Sequence, residues 1–419
     1  MRNYKPIAII VLAVFLRLNY DTFISGYNYD EIAMMSTAVQ SFPFGILKTA
    51  AVNDYHAPLY QLIIHFLTYL TPQWVFIRLF NVILSVLNVF VFYKIGCLLK
   101  NKNAGYLTAL ILCVNHLAIS TASFVKFYAL AFLLLSFSVY YFIKIIKYNK
   151  GHKKLGIINA LLILTSTYGF IFVFLEYFYL FFKKRDRALY RSIIISLTGF
   201  ILYLPILLAQ IKLNFTNIFS PHSYYVEFAP VSLYNALNDY FAPLLNYCCN
   251  LATVVSFSIF LHFIDSINNK TPQFHYLIEF IIFSVVPVTL AILFILKGIK
   301  KNIARDIGIV SISFLIIFII MTRLELTGFV PIYIYPFFLI SLILMGYGVL
   351  EFKNKKTALI LFTIYILINL SITNVYPPDK REWAGAKIFY CYEEYYKTHD
   401  NNALIATVGG RFLKKYYRF

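Results

Sequence analysis

Apolar runs of roughly 18 residues or more recur from one end of this 419-residue chain to the other, and each is long enough to cross a hydrocarbon layer about 30 Å thick as a helix. In lipid every backbone polar group must be paired within the protein, so a chain built from such runs is committed to helices. The residues are 60% hydrophobic and 13% charged, with a mean hydropathy of +0.73, well outside the composition of soluble domains. The expected fold class is an all-α polytopic membrane protein. No linker rich in Pro, Gly or Ser divides the runs, which predicts one multi-span domain over residues 1–375 with short appendages.

The formal net charge of +19 does not point to nucleic acid, because Lys and Arg gather in short loops between apolar runs. These loops lie at Arg2 and Lys5, Lys100 and Lys102, and within 144–154, 183–191, 297–305 and 353–356. Short basic loops are retained on the cytoplasmic side. With all six inside, the runs cross in pairs, and about eleven spans follow from the positive-inside rule. Their expected places are 6–23, 75–99, 104–122, 127–147, 155–168, 170–182, 190–212, 277–299, 306–322, 329–350 and 357–375. Arg2 and Lys5 precede an apolar core that no small-residue cleavage site follows, and Arg17 interrupts it, so the first run reads as a retained span with a cytoplasmic N-terminus in the plasma (inner) membrane.

This threading leaves residues 24–74, residues 213–276 and the tail 376–419 on the outer side. Pro43, Pro58 and Pro72 cut the first loop into short amphipathic pieces, Asp30 to Val39 and Leu59 to Leu70, which predicts helices lying along the interface. The apolar stretch within 233–264 reads as a re-entrant or interfacial helix, or as two extra short spans that would leave the rest of the topology unchanged. In the tail, a helical stretch, a turn at 398–402 and a strand-like "ALIATVG" predict a short α/β appendage. Five cysteines show no metal-ligand spacing and read as filler.

Ionisable groups near a bilayer are costly and are default functional candidates. On the outer side they are few: Asp30 and Glu31 in "GYNYDEIAMM", Asp54 and His56 in "NDYHAPLY", Lys126 with Tyr128 in "SFVKFYAL", and Arg323 with Glu325 in "TRLELTGF". Each has a structural reading beside the functional one. Acids at a helix start complement its dipole, a lone His is usually a hydrogen-bonding group, Lys126 can snorkel to lipid, and Arg323 and Glu325 can simply pair. Taken together, a carboxylate base beside an anion-binding cluster suits group transfer from a phosphate leaving group. His56 beside Asp54 leaves a divalent metal ion open, although two residues do not make a site. No Asp-x-Asp, G-x-x-x-x-G-K or G-x-G-x-x-G motif points to nucleotide handling.

The order "DE", then "HAPLY", then "IRLFNVILSVLNVFVFYKIGCLLKNKNAGYLTALIL", then "SFVKFYALAFLLL" resembles the C-type multi-span glycosyltransferases of the protein O-mannosyltransferase and aminoarabinose-transferase superfamily. The resemblance is best over residues 6–150 and weaker at "TRLELTGFVPIYIYPFFLI". It implies an inverting enzyme that moves a sugar from a polyprenyl-phosphate donor to a hydroxyl of a glycolipid, polysaccharide or protein at the outer face. By the same resemblance Asp30 is the general base and Glu31 helps hold the site. His56, Lys126 and Arg323 contact the donor phosphate, and Tyr55 and Tyr128 line the pocket. Lys126 stands where many members have Arg, which replaces a bidentate fork by a point charge. The rival readings are a lipid or polyanion transporter, which would use the intramembrane acid Glu176, a polysaccharide polymerase or ligase, and an inactive relative acting as a membrane partner.

Overall fold

A computed structural model of the chain describes residues 5–18, 29–51, 57–70, 75–184, 186–218, 278, 281–300, 302–323 and 335–375. The described residues are predominantly helical, with no strand among them. In chain order the helices are α1 (Lys5–Leu18), α2 (Tyr29–Ala38), α3 (Phe44–Thr49), α4 (Leu59–Leu70), α5 (Val75–Leu99), α6 (Lys102–Val114), α7 (His116–Ser123) and α8 (Tyr128–Tyr148). They continue as α9 (His152–Ile163), α10 (Thr167–Lys183), α11 (Arg187–Ile218), α12 (Val286–Gly298), α13 (Asn302–Arg323), α14 (Tyr335–Val349) and α15 (Lys355–Val375).

Four of these are long and apolar enough to cross a membrane, at Phe76–Leu99, Tyr128–Tyr148, Arg187–Lys212 and Ile303–Met321. Shorter apolar helices at Pro6–Leu18, Val286–Gly298 and Tyr335–Val349 supplement them. The chain is an all-α, multi-pass membrane protein. The expected spans 155–168 and 170–182 correspond to α9 and α10, of 12 and 17 residues. The strand-like tail and the stretch 233–264 lie outside the described residues.

One expected span is broken in the middle. Residues 104–122 do not form a straight helix but break into α6 and α7, bent by 57°. Asn115 causes the break: its backbone is extended, and its side chain accepts the Ala118 N–H at 3.1 Å as the N-cap of α7. The bend strands carbonyls at the end of α6. Arg17, only 1% exposed, answers them, its guanidinium donating to Leu112 O at 3.3 Å, Cys113 O at 3.2 Å and Ser85 Oγ at 2.7 Å. The charge that interrupts the first apolar run is therefore a carbonyl cap for another helix.

The basic loops collect at one end of the bundle. Lys100, after α5, pairs with Glu351, after α14, at 2.6 Å, and Lys147, in the last turn of α8, reaches the Leu98 carbonyl. Lys183 of α10 meets Asp306 of α13 at 2.6 Å at the same end of those helices. Close helix approach in the core requires small residues. A Cβ on Gly346 would lie 2.7 Å from the Thr108 Cα of α6, and one on Gly348 would collide with the Phe294 carbonyl of α12.

At the opposite end sit α2, α3 and α4, as the pattern of the first loop predicts. They are tied to the bundle by polar bonds. Leu59 N donates to Leu164 O at 2.9 Å, and Gln210 Nε2 of α11 donates to Ala50 O at 3.1 Å. The His65 Nδ1 of α4 lies 2.7 Å from the Ala38 carbonyl that ends α2.

Candidate functional site

Asp30 and Glu31 open α2, in the first turn where acids favour the helix dipole. Glu31 nonetheless spends its carboxylate elsewhere. Its side chain is 2% exposed, and both oxygens lie 3.4 Å from Nη2 of Arg78, itself 4% exposed, in the first turn of α5. Glu31 Oε1 also accepts the Val125 N–H at 2.8 Å. Two buried charges so placed are mutually required, because removing either leaves the other uncompensated.

Asn81 lies one turn along α5 from Arg78 and is fully buried. Its amide donates to the Phe124 carbonyl, and the Tyr60 hydroxyl lies 2.8 Å from its Nδ2 and 3.0 Å from its Oδ1. Burial pushes the Tyr60 hydroxyl far up, opposed by the Asn81 bond and reinforced by the nearby Glu31 charge, so it acts as a neutral donor. The Phe124 oxygen and the Val125 N–H belong to one peptide unit. Asn81 therefore holds its oxygen while Glu31 holds its hydrogen.

That clamped peptide carries Lys126. The turn tightens further through Lys126 N donating to Phe124 O at 2.8 Å. The ammonium then lies 3.4 Å from the Tyr128 hydroxyl and 5.4 Å from the centroid of its ring, with Lys126 7% exposed and Tyr128 6% exposed. A positive charge is thus set in a largely desolvated turn, where Coulomb attraction for an anion is several-fold stronger than in water. The arrangement can fix a cation against a negative group and can hold α2 in register with it.

Of the residues singled out in the sequence, Glu31, Lys126 and Tyr128 come together here. The backbone of Asp30 is one residue from Glu31 in α2, and that of Arg323 ends α13, whereas their side chains lie outside the described residues. Asp54, Tyr55, His56 and Glu325 also lie outside them. No group of three His, Cys, Asp or Glu side chains placed to hold a metal occurs among the described residues. Arg78, Asn81 and Tyr60 were not singled out. The signal for the first two was present: an Arg and an Asn three residues apart in an apolar run are costly unless they have partners.

Glu176 occupies the bundle core instead. It is 1% exposed, accepts Asn159 Nδ2 at 2.7 Å, and has Ser138 Oγ within 2.8 and 2.9 Å of its two oxygens. Its partners on α8 and α9 tie three helices together.

The sequence model of the dolichyl-phosphate-mannose-protein mannosyltransferase family matches residues 55–211, less than half of the chain. No curated protein matches the sequence. Solved structures of the Archaeoglobus fulgidus oligosaccharyltransferase are similar in fold. The apo form has a TM-score of 0.56 at 11% identity and covers 99% of this chain and 60% of its own. The complex with Zn and sulfate has a TM-score of 0.54 at 13% identity, with 98% and 56% covered. A third, of archaeal oligosaccharyltransferase AglB from the same organism with an inhibitory peptide and a dolichol-phosphate, has a TM-score of 0.53 at 11% identity, with 98% and 59% covered. The chain spans a little over half the length of these structures. What it shares with them is the fold.

Proposed function

We propose that the protein is an integral-membrane glycosyltransferase that moves a sugar, with inversion, from a polyprenyl-phosphate donor to a hydroxyl acceptor at the outer face of the plasma membrane. The observation that carries the reading is the clamp on the Phe124 to Val125 peptide, which couples the acid-bearing start of α2 to the turn of Lys126. In this reading Asp30 is the general base and Glu31 is a positioning residue, since Arg78 and Val125 already engage the Glu31 carboxylate. Asp30 takes the proton of the acceptor hydroxyl. The freed oxygen attacks the anomeric carbon from the face opposite the phosphate, and the carbon–oxygen bond to the phosphate breaks with its electron pair. Lys126, helped by His56 and Arg323, balances the charge that develops on the departing phosphate, so no acid is needed to protonate it. Tyr55 and Tyr128 line the pocket.

A lipid-phosphate donor and a hydroxyl acceptor agree with the description of the matching family, whose donor is a dolichyl-phosphate sugar and whose acceptor is protein. They also agree with the dolichol-phosphate and peptide held by the similar archaeal structure. A glycolipid or polysaccharide acceptor is equally compatible with the chemistry. The positive-inside rule supports the orientation, with the basic loops, at the end of the bundle opposite Lys126, in the cytoplasm. Glu176, the intramembrane acid a transport reading would use, is hydrogen-bonded to Asn159 and Ser138, which supports a structural role for it.

The test is transfer of radiolabelled sugar from polyprenyl-phosphate sugars to candidate acceptors by the protein reconstituted in liposomes. Asp30→Asn should abolish transfer while leaving the melting temperature of the purified protein unchanged. Undiminished transfer by Asp30→Asn would refute the assigned base. Movement of the lipid across the bilayer without transfer would refute the class.

A further inference from the structure

A groove lies far from Lys126, at the basic end of the bundle, beside Lys183 and the first turns of α13. Phe178, Tyr179 and Phe182 of α10 face Ile309, Val310 and Ser313 of α13 across a cleft of about 330 Å³. Its rim belongs to the lipid-facing surface: Phe178 is 56% exposed and Phe182 66%, and the neighbouring Ile312 and Ile316 of α13 are exposed as well. Apart from Ser313, the Tyr179 hydroxyl and Lys183 at its end, the walls are apolar. A cleft of this kind within the hydrocarbon layer offers water no partners, and an acyl chain fills it at no polar cost.

The end of the cleft is built differently. Asp306, 2% exposed, accepts the Tyr179 hydroxyl on Oδ1 at 2.7 Å and the Lys183 ammonium on Oδ2 at 2.6 Å, and Lys183 Nζ also reaches the Tyr179 oxygen at 3.2 Å. An ammonium has three N–H donors. Two are fixed by these partners on a side chain that is still 38% exposed, which leaves the third to point a fixed positive charge away from the protein. Lys184 and Arg187 follow in the chain, and Arg305 precedes Asp306. With Lys183 and Arg185 these make five cations against only Asp186 and Asp306, so the segments at this end of α10 and α13 carry a positive excess. Basic pockets between spans at the cytoplasmic interface are where anionic headgroups bind.

We propose that this cleft is a binding site for one anionic phospholipid of the surrounding leaflet, with an acyl chain between α10 and α13 and the phosphate against Lys183. It lies at the opposite end of the bundle from the transfer site and does not depend on what that site does. The positive excess repels the ammonium of a zwitterionic headgroup, which makes the site selective.

Delipidated full-length protein in detergent, titrated separately with phosphatidylglycerol, phosphatidylethanolamine and polyprenyl phosphate and read by native mass spectrometry, tests this. One phosphatidylglycerol should bind about five-fold more tightly than phosphatidylethanolamine, the discrimination expected from one cation near a surface. Ser313→Trp, which fills the cleft, should abolish that bound lipid, whereas Ile312→Trp on the adjacent lipid-facing surface should not. Lys183→Ala should reduce phosphatidylglycerol to the affinity of phosphatidylethanolamine. Equal affinities in the wild type, a measurement that needs no variant, would overturn the proposal. So would unaltered binding in Ser313→Trp, or displacement of phosphatidylglycerol by equimolar polyprenyl phosphate, which would make the cleft a carrier site.

Discussion

Replacing Glu31 by Gln removes one charge at nearly constant shape and so isolates what the ion pair contributes. Arg78 stays behind, 4% exposed, with its guanidinium facing an amide instead of a carboxylate. Breaking a buried pair from one side costs about 3–5 kcal/mol. The lower end applies here, because the Nη2 to Oε separations of 3.4 Å are long for charge-assisted bonds and the Gln oxygen can still accept the Val125 N–H. A loss of about 3 kcal/mol is therefore expected for Glu31→Gln, and a similar loss for Arg78→Gln. In the double variant no uncompensated charge remains, so the two losses should fall short of adding by about 2 kcal/mol, within the range seen for residues in contact. Denaturation of the four proteins in mixed micelles measures the cycle. Transfer should fall about 100-fold in each single variant, since an error of about 1 Å in placing a reacting group costs that much. Additivity within about 0.5 kcal/mol would show that the pair is not coupled and would refute the reasoning.

Three other outcomes follow from the same geometry. Asn81→Leu removes one of the donors on the buried Phe124 carbonyl, leaving the Lys126 N–H, and takes away the Asn81 partner of the Tyr60 hydroxyl; about 1–3 kcal/mol of stability should be lost, with kcat falling more than KM rises. Lys126→Arg should retain transfer, because a guanidinium supplies the same charge, whereas Lys126→Met should lower kcat by about 100- to 1,000-fold, as removal of one transition-state donor does, at unchanged melting temperature. Gly348→Val puts a branched side chain against the Phe294 carbonyl, and thermal unfolding should show a loss of about 1–3 kcal/mol from overpacking between α12 and α14 without change in the headgroup selectivity of the α10–α13 cleft.

Much of the fold was legible because membrane insertion forces it. Helix follows from apolar length alone, and α4 begins just after Pro58 and ends at Leu70 where the pattern stops. The α6–α7 break was not legible, since its cause is a single Asn in an apolar run and its compensation is an Arg almost a hundred residues away. Periodicity reports which face is apolar, but not which distant carbonyl a buried cation will meet. The same holds for Glu31. Chemistry marked it as costly and therefore purposeful, yet its partners Arg78 and Val125 lie 47 and 94 residues on in the chain.

In the proposed mechanism the acidic pair separates two demands that one residue would meet poorly. A general base must exchange its proton with substrate, which requires access and a carboxylate not already engaged. A scaffold must be buried and saturated, because an unsatisfied buried charge destabilises what it is meant to hold. Glu31 meets the second demand through Arg78 and the Val125 N–H. Adjacent residues on a helix project about 100° apart, so the neighbouring position is freed for the first. Because the clamp grips both ends of one peptide, any displacement of α2 or α5 moves the turn of Lys126 with it. Substitutions at Glu31, Arg78, Asn81 and Tyr60 should accordingly share one signature, a joint loss of stability and kcat, and Asp30 should stand apart by losing kcat alone.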